Sequence, residues 1–451
     1  MAEAPAPGQK KTTWIVVAVI IVAIVVIIGA LAAGFFAPAE EETIKIGTIL
    51  PLTGTLEDFG GPMRDAANLA RDEINAAGGV LGKEIELIHC DSETRPAAGA
   101  NCGAKLVFTD KVIAIVGAAS SGVSQAVSTI TLENNVVQIS PASTSPLFTT
   151  FEVDRATAIG QTTDIPDKDV PGLFWRTAPS DALQGQVAAI LAEGETAWTT
   201  FGIIAVNNPY GKGLADAFAE NIGTEKVVAQ VNYIEEQASY TSDLQILANA
   251  APDAVFFVGY PGDGLTIMKN WNEKKGETGW DWDWFWSEGI KSGDFLGDLK
   301  DAGVDVSGIK GTAPIFTGAN FQTFRDKYFA EFAKEPQVFD AHTYDAVYLI
   351  AAAIEKAGEA TSDAIRENLV AVSSPAGTTI GPGEWDKVLT ELAAGNDINY
   401  EGGSGSVDLN QVGEPLSDYE IWEITGDLTA GFAFQQLQVV KADQLTPPTI
   451  P

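Results

Sequence analysis

The sequence predicts an α/β protein of two doubly wound lobes built on parallel sheets, preceded by a helix able to cross a membrane. Three observations carry this reading. Short, nearly uninterrupted apolar runs alternate with helical stretches in two consecutive series; the loops that end those runs are rich in Gly, Ser and Thr; and an uncharged stretch of 23 residues stands near the N-terminus. Near-continuous apolar strands suit a parallel sheet covered by helices, since neither face of such a strand meets water. A chain of 451 residues that is 45% hydrophobic and 20% charged has the profile of a globular protein with a large core. At roughly 150 residues per domain, the part after residue 40 fills two or three lobes.

Residues 14–36, WIVVAVIIVAIVVIIGALAAGFF, would form a helix about 34 Å long, enough to span bilayer hydrocarbon. Lys10 and Lys11 precede it and Glu40, Glu41 and Glu42 follow. The positive-inside rule then leaves residues 1–13 in the cytoplasm and everything after residue 40 outside the cell membrane. The alternative is a cleavable signal peptide, whose apolar core is usually only about 7–15 residues. The run here is longer and no lipobox-type Cys follows it, so an uncleaved single-pass anchor is expected.

The first α/β series opens with IKIGTIL (44–50). Met63, Ala67, Ala70 and Ile74 then recur at helical spacing up to Gly78-Gly79, a natural helix end. EIELIHC, a helix over about 96–109, VIAIVGA (112–118), a helix from about 122 and VVQIS (136–140) follow. Residues 152–172 are polar and read as a surface loop. The second series runs TTFGIIAVN (199–207), a helix after Tyr210, VVAQVNY (227–233), a helix after Asp243, AVFFVGY (254–260), a helix to about 275 and WDWFWSEG (282–289). Helices over 320–334 and 341–357 and a hairpin after Gly405 must return to complete the two units.

Charge and cysteine content exclude several functions. With 61 acids against 27 bases the formal net charge is −34, a surface that repels phosphate backbones, so nucleic acid is not a partner. The acidity reads as solvation and suits saline surroundings. Two Cys (Cys90, Cys102) and two His (His89, His342) cannot supply a usual four-ligand zinc site, so no metal and no cofactor is expected. In an exported domain Cys90, ending a strand, and Cys102, about two turns into the next helix, either bridge or stay buried thiols. There is no G-x-S-x-G, H-E-x-x-H or GxxxxGK[ST], so neither an enzyme nor an ATPase is indicated.

Doubly wound sheets bind ligands beyond the carboxyl ends of their strands. The segments found there are PLTGTLEDFG, GAASSG and PASTSP in the first unit and NNPYGKG, GYPGDG and SEG in the second. GAASSG and PASTSP both precede helices and offer free N–H groups to an anion, with Ser121 and Thr144 adding hydroxyls. Either residue could instead be a helix N-cap. Glu288 ends an aromatic strand where water would be scarce, and a carboxylate there needs a cation. A ligand ammonium and the neighbouring Lys291 are the two candidates. Phe59, Tyr210 and Tyr260 could wall an apolar pocket.

The opening IGTILPLTGTLEDFGGPMRDAANLARDEINAAGGVLGKEIEL resembles that of the periplasmic leucine/isoleucine/valine-binding proteins of ABC importers. VGAASSGVSQ, ISPASTSP, FWRTAPSDALQGQ, NNPYGKGLADAF, TYDAVYLIAAAIEKA and YEGGSGSVDLNQVGEPLSDYEIWEI follow in that family's order, over about residues 44–426. The resemblance implies a type I periplasmic-binding fold: two Rossmann-like lobes joined by three crossovers near 177, 316 and 404. Lobe 1 would comprise 43–177 and 317–403, lobe 2 would comprise 178–316 and 404–441, and 442–451 would form a tail. It also implies that Ser121 and Thr144 grip an amino-acid carboxylate and that the Ala142 carbonyl and Glu288 receive the ammonium. Phe59, Tyr210 and Tyr260 would enclose the ligand. Ser120 stands where well-known relatives have a half-cystine, so their disulfide does not transfer and Cys90–Cys102 would be a different bridge. Residues 152–172 and 383–400 look like insertions. The implied function is a non-catalytic receptor that clamps a branched-chain amino acid and passes it to ABC permease subunits. Urea, a short amide or another small polar solute, or a sensory ectodomain role, are the alternatives.

Overall fold

The computed structural model describes residues 1, 19–22, 43–150, 172–315 and 318–447. The expected anchor lies outside these except for the helical residues 19–22, and the polar loop 152–172 lies outside except for Gly172. Among the described residues no helix is long and apolar enough to cross a membrane.

From Ile44 onward, lobe 1 is laid down as β1 (Ile44–Leu50), α1 (Glu57–Ala76), β2 (Ile85–Asp91), α2 (Pro96–Ala104), β3 (Ala114–Gly117), α3 (Ser121–Glu133), β4 (Val137–Ser140) and β5 (Phe174–Arg176). The strands pair in the order β2-β1-β3-β4-β5, all parallel. α1 buries Met63, Ala67, Ala70 and Ile74, the face that their spacing predicts. It ends at Gly78 and Gly79, both with positive φ, and a Cβ on Gly79 would sit 2.1 Å from the Lys83 carbonyl oxygen, so only glycine fits that turn. α2 continues as a π-helix over Lys105–Asp110. Cys90 and Cys102 are joined in a disulfide, with Cα atoms 5.8 Å apart.

Lobe 2 follows as α4 (Asp181–Gly194), β6 (Phe201–Val206), α5 (Pro209–Ile222), β7 (Val227–Tyr233), α6 (Thr241–Ala250), β8 (Ala254–Val258), α7 (Pro261–Lys274), β9 (Asp283–Trp286), α8 (Gly293–Asp301) and β10 (Lys310–Pro314). The chain then returns to lobe 1 with α9 (Ala319–Phe332), α10 (Asp340–Ala357), α11 (Ser362–Ser373) and α12 (Trp385–Ala393). A small sheet of β11 (Thr378–Ile380), β12 (Ile398–Gly402) and β13 (Gly405–Ser406) completes it, and the stretch 383–400 is thus part of lobe 1's cover. α10 packs against α1 and α11 and buries every residue from Asp340 to Ile354. Finally β14 (Tyr419–Asp427) and β15 (Gly431–Val440) add an antiparallel hairpin to lobe 2, whose sheet reads β15-β14-β10-β9-β8-β6-β7.

The first connection crosses between lobes at 177–180, the expected crossover near 316 falls on residues 316–317, outside the described residues, and the third crosses, later than the expected 404, over 407–418. The third shifts because β13 pairs with β12 and because Val407 and Leu409 are buried in the lobe 1 core. Nor is the segment after 441 a loose tail: Leu445 is buried in the lobe 2 core, and Thr446 exchanges two hydrogen bonds with Gln186 (2.8 and 2.9 Å).

The lobes are closed on one another. Gly262 N–H donates to the Thr55 carbonyl (3.1 Å), Thr55 Oγ1 to Glu235 Oε1 (2.9 Å) and Ser145 Oγ to the Pro209 carbonyl (2.9 Å). At the rim, Arg95 of lobe 1 meets Glu236 of lobe 2 at 2.7 Å.

Candidate functional site

In lobe 1, β1 lies between β2 and β3, so the loops after β1 and β3 diverge to opposite faces and leave a crevice; β6 between β7 and β8 does the same in lobe 2. The two crevices face each other across the closed interface and share one cavity. Its walls include Phe59, Ser120, Ser121, Ala142, Tyr210, Tyr260 and Glu288, joined by Leu56, Met63, Ala119, Gly289 and Phe339. Seven of the eight expected site residues are therefore gathered around one space.

Lobe 1 offers the cavity the apolar side chains of Leu56, Phe59, Met63 and Phe339 and, at the start of α3, backbone. Ser120 precedes α3 in extended conformation but makes no side-chain cap bond; its hydroxyl lies 3.2 Å from the Tyr260 hydroxyl across the cleft. The N–H groups that open α3 are thus left for a ligand, with the positive end of the helix dipole behind them. Ser121 Oγ accepts from Ser145 N–H (3.4 Å), which leaves its own proton to donate. Small residues are needed for a ligand to approach this backbone, and Ala119, Ser120 and Ser121 are all buried.

Thr144 departs from expectation. Its side chain does not reach the cavity wall: the hydroxyl donates to Asp181 Oδ2 at 2.9 Å, so it is not a donor to a ligand. The reason is local. Asp181, the first residue of α4, also donates its N–H to the Thr144 carbonyl (2.8 Å), and the two residues close a ring of hydrogen bonds. The Thr144 N–H meets no acceptor among the described residues.

Lobe 2 offers side chains. Tyr210 and Tyr260 are stacked, with ring centroids 5.6 Å apart, and Tyr210 donates to Ser287 Oγ (2.9 Å). Glu288 is 1% exposed. Gln184 Nε2 donates to its Oε2, and burial pushes its carboxyl up to about 7. Lys291 does not neutralise it: that ammonium is paired with Glu420 and lies over the Phe434 ring. Among the described residues no lysine, arginine or histidine lines the cavity. Beneath the wall, Asp181 is raised well above the ordinary range by burial and then by the nearby Glu288 carboxylate, and its Oδ1 has no partner among the described residues. The Glu288 carboxyl thus faces the cavity with no basic lining among the described residues, which is an arrangement that calls for a cation.

Asp181 and Gln184 escaped the sequence reading. Both lie in FWRTAPSDALQGQ, where an Asp at the first helical position reads as ordinary dipole compensation. Phe339 was also missed; it stands at the start of α10 with φ of 74°, a conformation no pattern announces.

Over residues 43–388 the chain matches the model of a family described as periplasmic binding protein. The chemotactic signal transduction system substrate-binding protein BasB of Halobacterium salinarum is 26% identical over 390 residues, covering 85% of this chain and 87% of the relative. The Leu/Ile/Val-binding protein BraC3 of Rhizobium johnstonii is 28% identical over 335 residues, covering 72% and 82%. The solved structure of the leucine-binding protein LivK from Thermotoga maritima superposes with a TM-score of 0.71 at 22% identity, covering 89% of this chain and 100% of that one. A solute-binding protein of an ABC transporter from Rhodopseudomonas palustris, in complex with 3,4-dihydroxybenzoic acid, gives 0.67 at 19% identity, covering 89% and 98%. Both structures share the fold of this chain.

Proposed function

The chain belongs to the periplasmic binding protein family, and on that premise we propose that it is the extracytoplasmic solute-binding component of an ABC importer, clamping an amino acid between its lobes. One observation carries the choice of an amino acid: Glu288 is buried at the cavity wall, with no cation to meet it among the described residues. A ligand ammonium supplies that cation, and the opposite wall offers the N–H groups of α3 and the Ser121 hydroxyl to a carboxylate. An aliphatic side chain fits against Leu56, Phe59, Met63 and Phe339, which favours a branched-chain residue.

Capture is then a two-step, non-catalytic event. The carboxylate docks on lobe 1, and lobe 2 rotates about the three connections to bring Glu288 onto the ammonium. Because that contact exists only in the closed form, the ligand binds the closed form more tightly and shifts the population toward it. The closed form is what a permease in the membrane would receive, and the uncharged span 14–36 with its basic and acidic flanks supports a tether on the outer face.

A second reading keeps the capture step and hands the closed form to a signalling membrane protein; the name of the Halobacterium relative supports it. A thermal-shift screen of the chain against amino acids, urea, short amides and aromatic acids tests the ligand class. A ligand that binds only the closed form stabilises it by about 2.7 kcal/mol at a hundredfold excess, moving the melting point by a few degrees. Shifts with leucine, isoleucine or valine are expected; a shift only with an amide or an aromatic acid would reassign Glu288.

A further inference from the structure

We propose that Arg176, which lines no part of the cavity, is a positioning residue for ligand capture: it holds the loop that carries Ala142 and Thr144 and ties that loop to the hinge. The proposal rests on the cavity being a solute site.

Arg176 ends β5 at the first connection between the lobes and is 1% exposed. A guanidinium has five N–H bonds in a fixed planar fork, and here every one has an acceptor. Nε donates to Glu414 Oε2 (3.0 Å) and Nη2 donates to Glu414 Oε2 and to Thr149 Oγ1 (3.3 Å). Nη1 donates to the carbonyls of Ser143 (3.0 Å) and Ser145 (2.8 Å). Glu414 is equally buried and lies on the third connection, where the Gly413 carbonyl also accepts from the Arg176 N–H (2.9 Å). One side chain thus joins the first and third connections to the loop between them.

The two carbonyls it grips flank Thr144. In a trans peptide the N–H points away from the preceding C=O. Fixing the Ser143 carbonyl on Arg176 therefore aims the Thr144 N–H, which has no acceptor among the described residues, to the opposite side. The Ser145 carbonyl fixes the following residue, and the Thr144 carbonyl itself accepts from the Asp181 N–H (2.8 Å). Buried carbonyls without such donors would leave the loop to seek other partners. Lysine cannot substitute: a point ammonium with three donors cannot reach two carbonyls, a carboxylate and a hydroxyl in one plane. Glu414 then serves to neutralise and orient the guanidinium, and Thr149, which also bonds the Glu414 carboxylate (3.2 and 3.3 Å), closes the ring.

The consequence is that loop position and hinge geometry form one mechanical unit. Loosening the fork releases the loop that brings Ala142 to the cavity wall and the pivot together, so ligand affinity falls by more than the loss of folding stability alone would cause.

The test uses the full chain with Arg176→Lys and, as a milder variant that preserves shape, Thr149→Val. L-leucine affinity is read by calorimetry on the folded fraction, and hydrogen exchange of the ligand-free protein is read over 141–150 and 410–418. The expected result for Arg176→Lys is at least about a tenfold weaker leucine affinity, as for losing one or two hydrogen bonds to a charged group, with faster exchange confined to those two segments. Thr149→Val should move both readouts in the same direction by less. If Arg176→Lys fails to fold, Thr149→Val decides. A lower melting point with leucine affinity within twofold of the parent, or exchange that speeds up evenly across lobe 1, makes Arg176 a purely structural residue and overturns the proposal. A parent protein that does not bind leucine refutes the ligand assignment instead, and the exchange pattern alone then judges Arg176.

Discussion

Lobe 1 and lobe 2 meet the same cavity with opposite materials. Lobe 1 presents small residues and unfilled backbone N–H groups at the start of α3; lobe 2 presents stacked tyrosines and a carboxylate whose burial is costly. A backbone donor is fixed by the fold and exists whether or not the lobes are closed. A buried carboxylate is stable only when something answers its charge. The difference teaches that affinity can begin on lobe 1, while the preference for the closed state resides in lobe 2.

Removing the charge on lobe 2 should have the largest effect. Glu288→Gln keeps the shape and the Gln184 contact but offers an ammonium no counter-charge, and breaking such a buried pair costs about 3 kcal/mol or more, a loss of at least about a hundredfold in affinity. The same substitution ends the burial of an ionisable carboxyl, so the ligand-free protein should melt higher at neutral pH. Weak binding with a lower melting point would mean that Glu288 serves the fold.

The pH dependence sharpens the same contrast. Glu288 rises on burial from 4.5 to about 7, so its protonated form favours the folded closed state. That contribution is complete below about 4.5 and is lost as pH rises through about 7. An ammonium needs the ionised form, so amino-acid affinity should climb by up to about tenfold per pH unit toward 7 and flatten above it. Titrations at pH 6, 7 and 8, in two buffers of different ionisation heat, would count the released proton. A flat profile would place the ammonium elsewhere.

On lobe 1, Ser121→Ala removes one hydroxyl donor and leaves the helix N–H groups in place. A hydrogen bond to a charged group contributes about 1.5 kcal/mol, so about a tenfold loss is expected by calorimetry, with little change in the melting point. No loss would mean that backbone alone holds the carboxylate. The smallest effect belongs to the rim. The Arg95–Glu236 pair is exposed and touches no ligand, so Glu236→Ala should weaken all ligands alike by at most a few-fold, and the deficit should fade at high salt. A change in ligand preference would show that the rim senses the solute.

How far the site could be read from the chain depended on whether a residue's role is local. Ser121, Tyr210, Tyr260 and Glu288 stand just past strand ends, where the carboxyl-end rule for parallel sheets looks, and all four line the cavity, whereas Ala142 was named through the family resemblance. Thr144 obeyed the same rule and yet turns away, because Asp181, 37 positions later, captures its hydroxyl. The third connection was placed too early for a similar reason: β13 is a two-residue strand whose pairing with β12 no propensity foretells.

The sequence by itself determined the alternation of strands and helices, the two lobes and the loops that carry the site, since periodicity and strand ends are properties of neighbours along the chain. Only the tertiary structure decided which charges go unanswered. That Lys291 pairs with Glu420 rather than Glu288, that Asp181 lies beside Glu288, and that Arg176 meets Glu414 across 238 positions all depend on where distant segments come to rest. Electrostatic interactions weaken with distance and with solvent, so their outcome is settled by separation and burial in space.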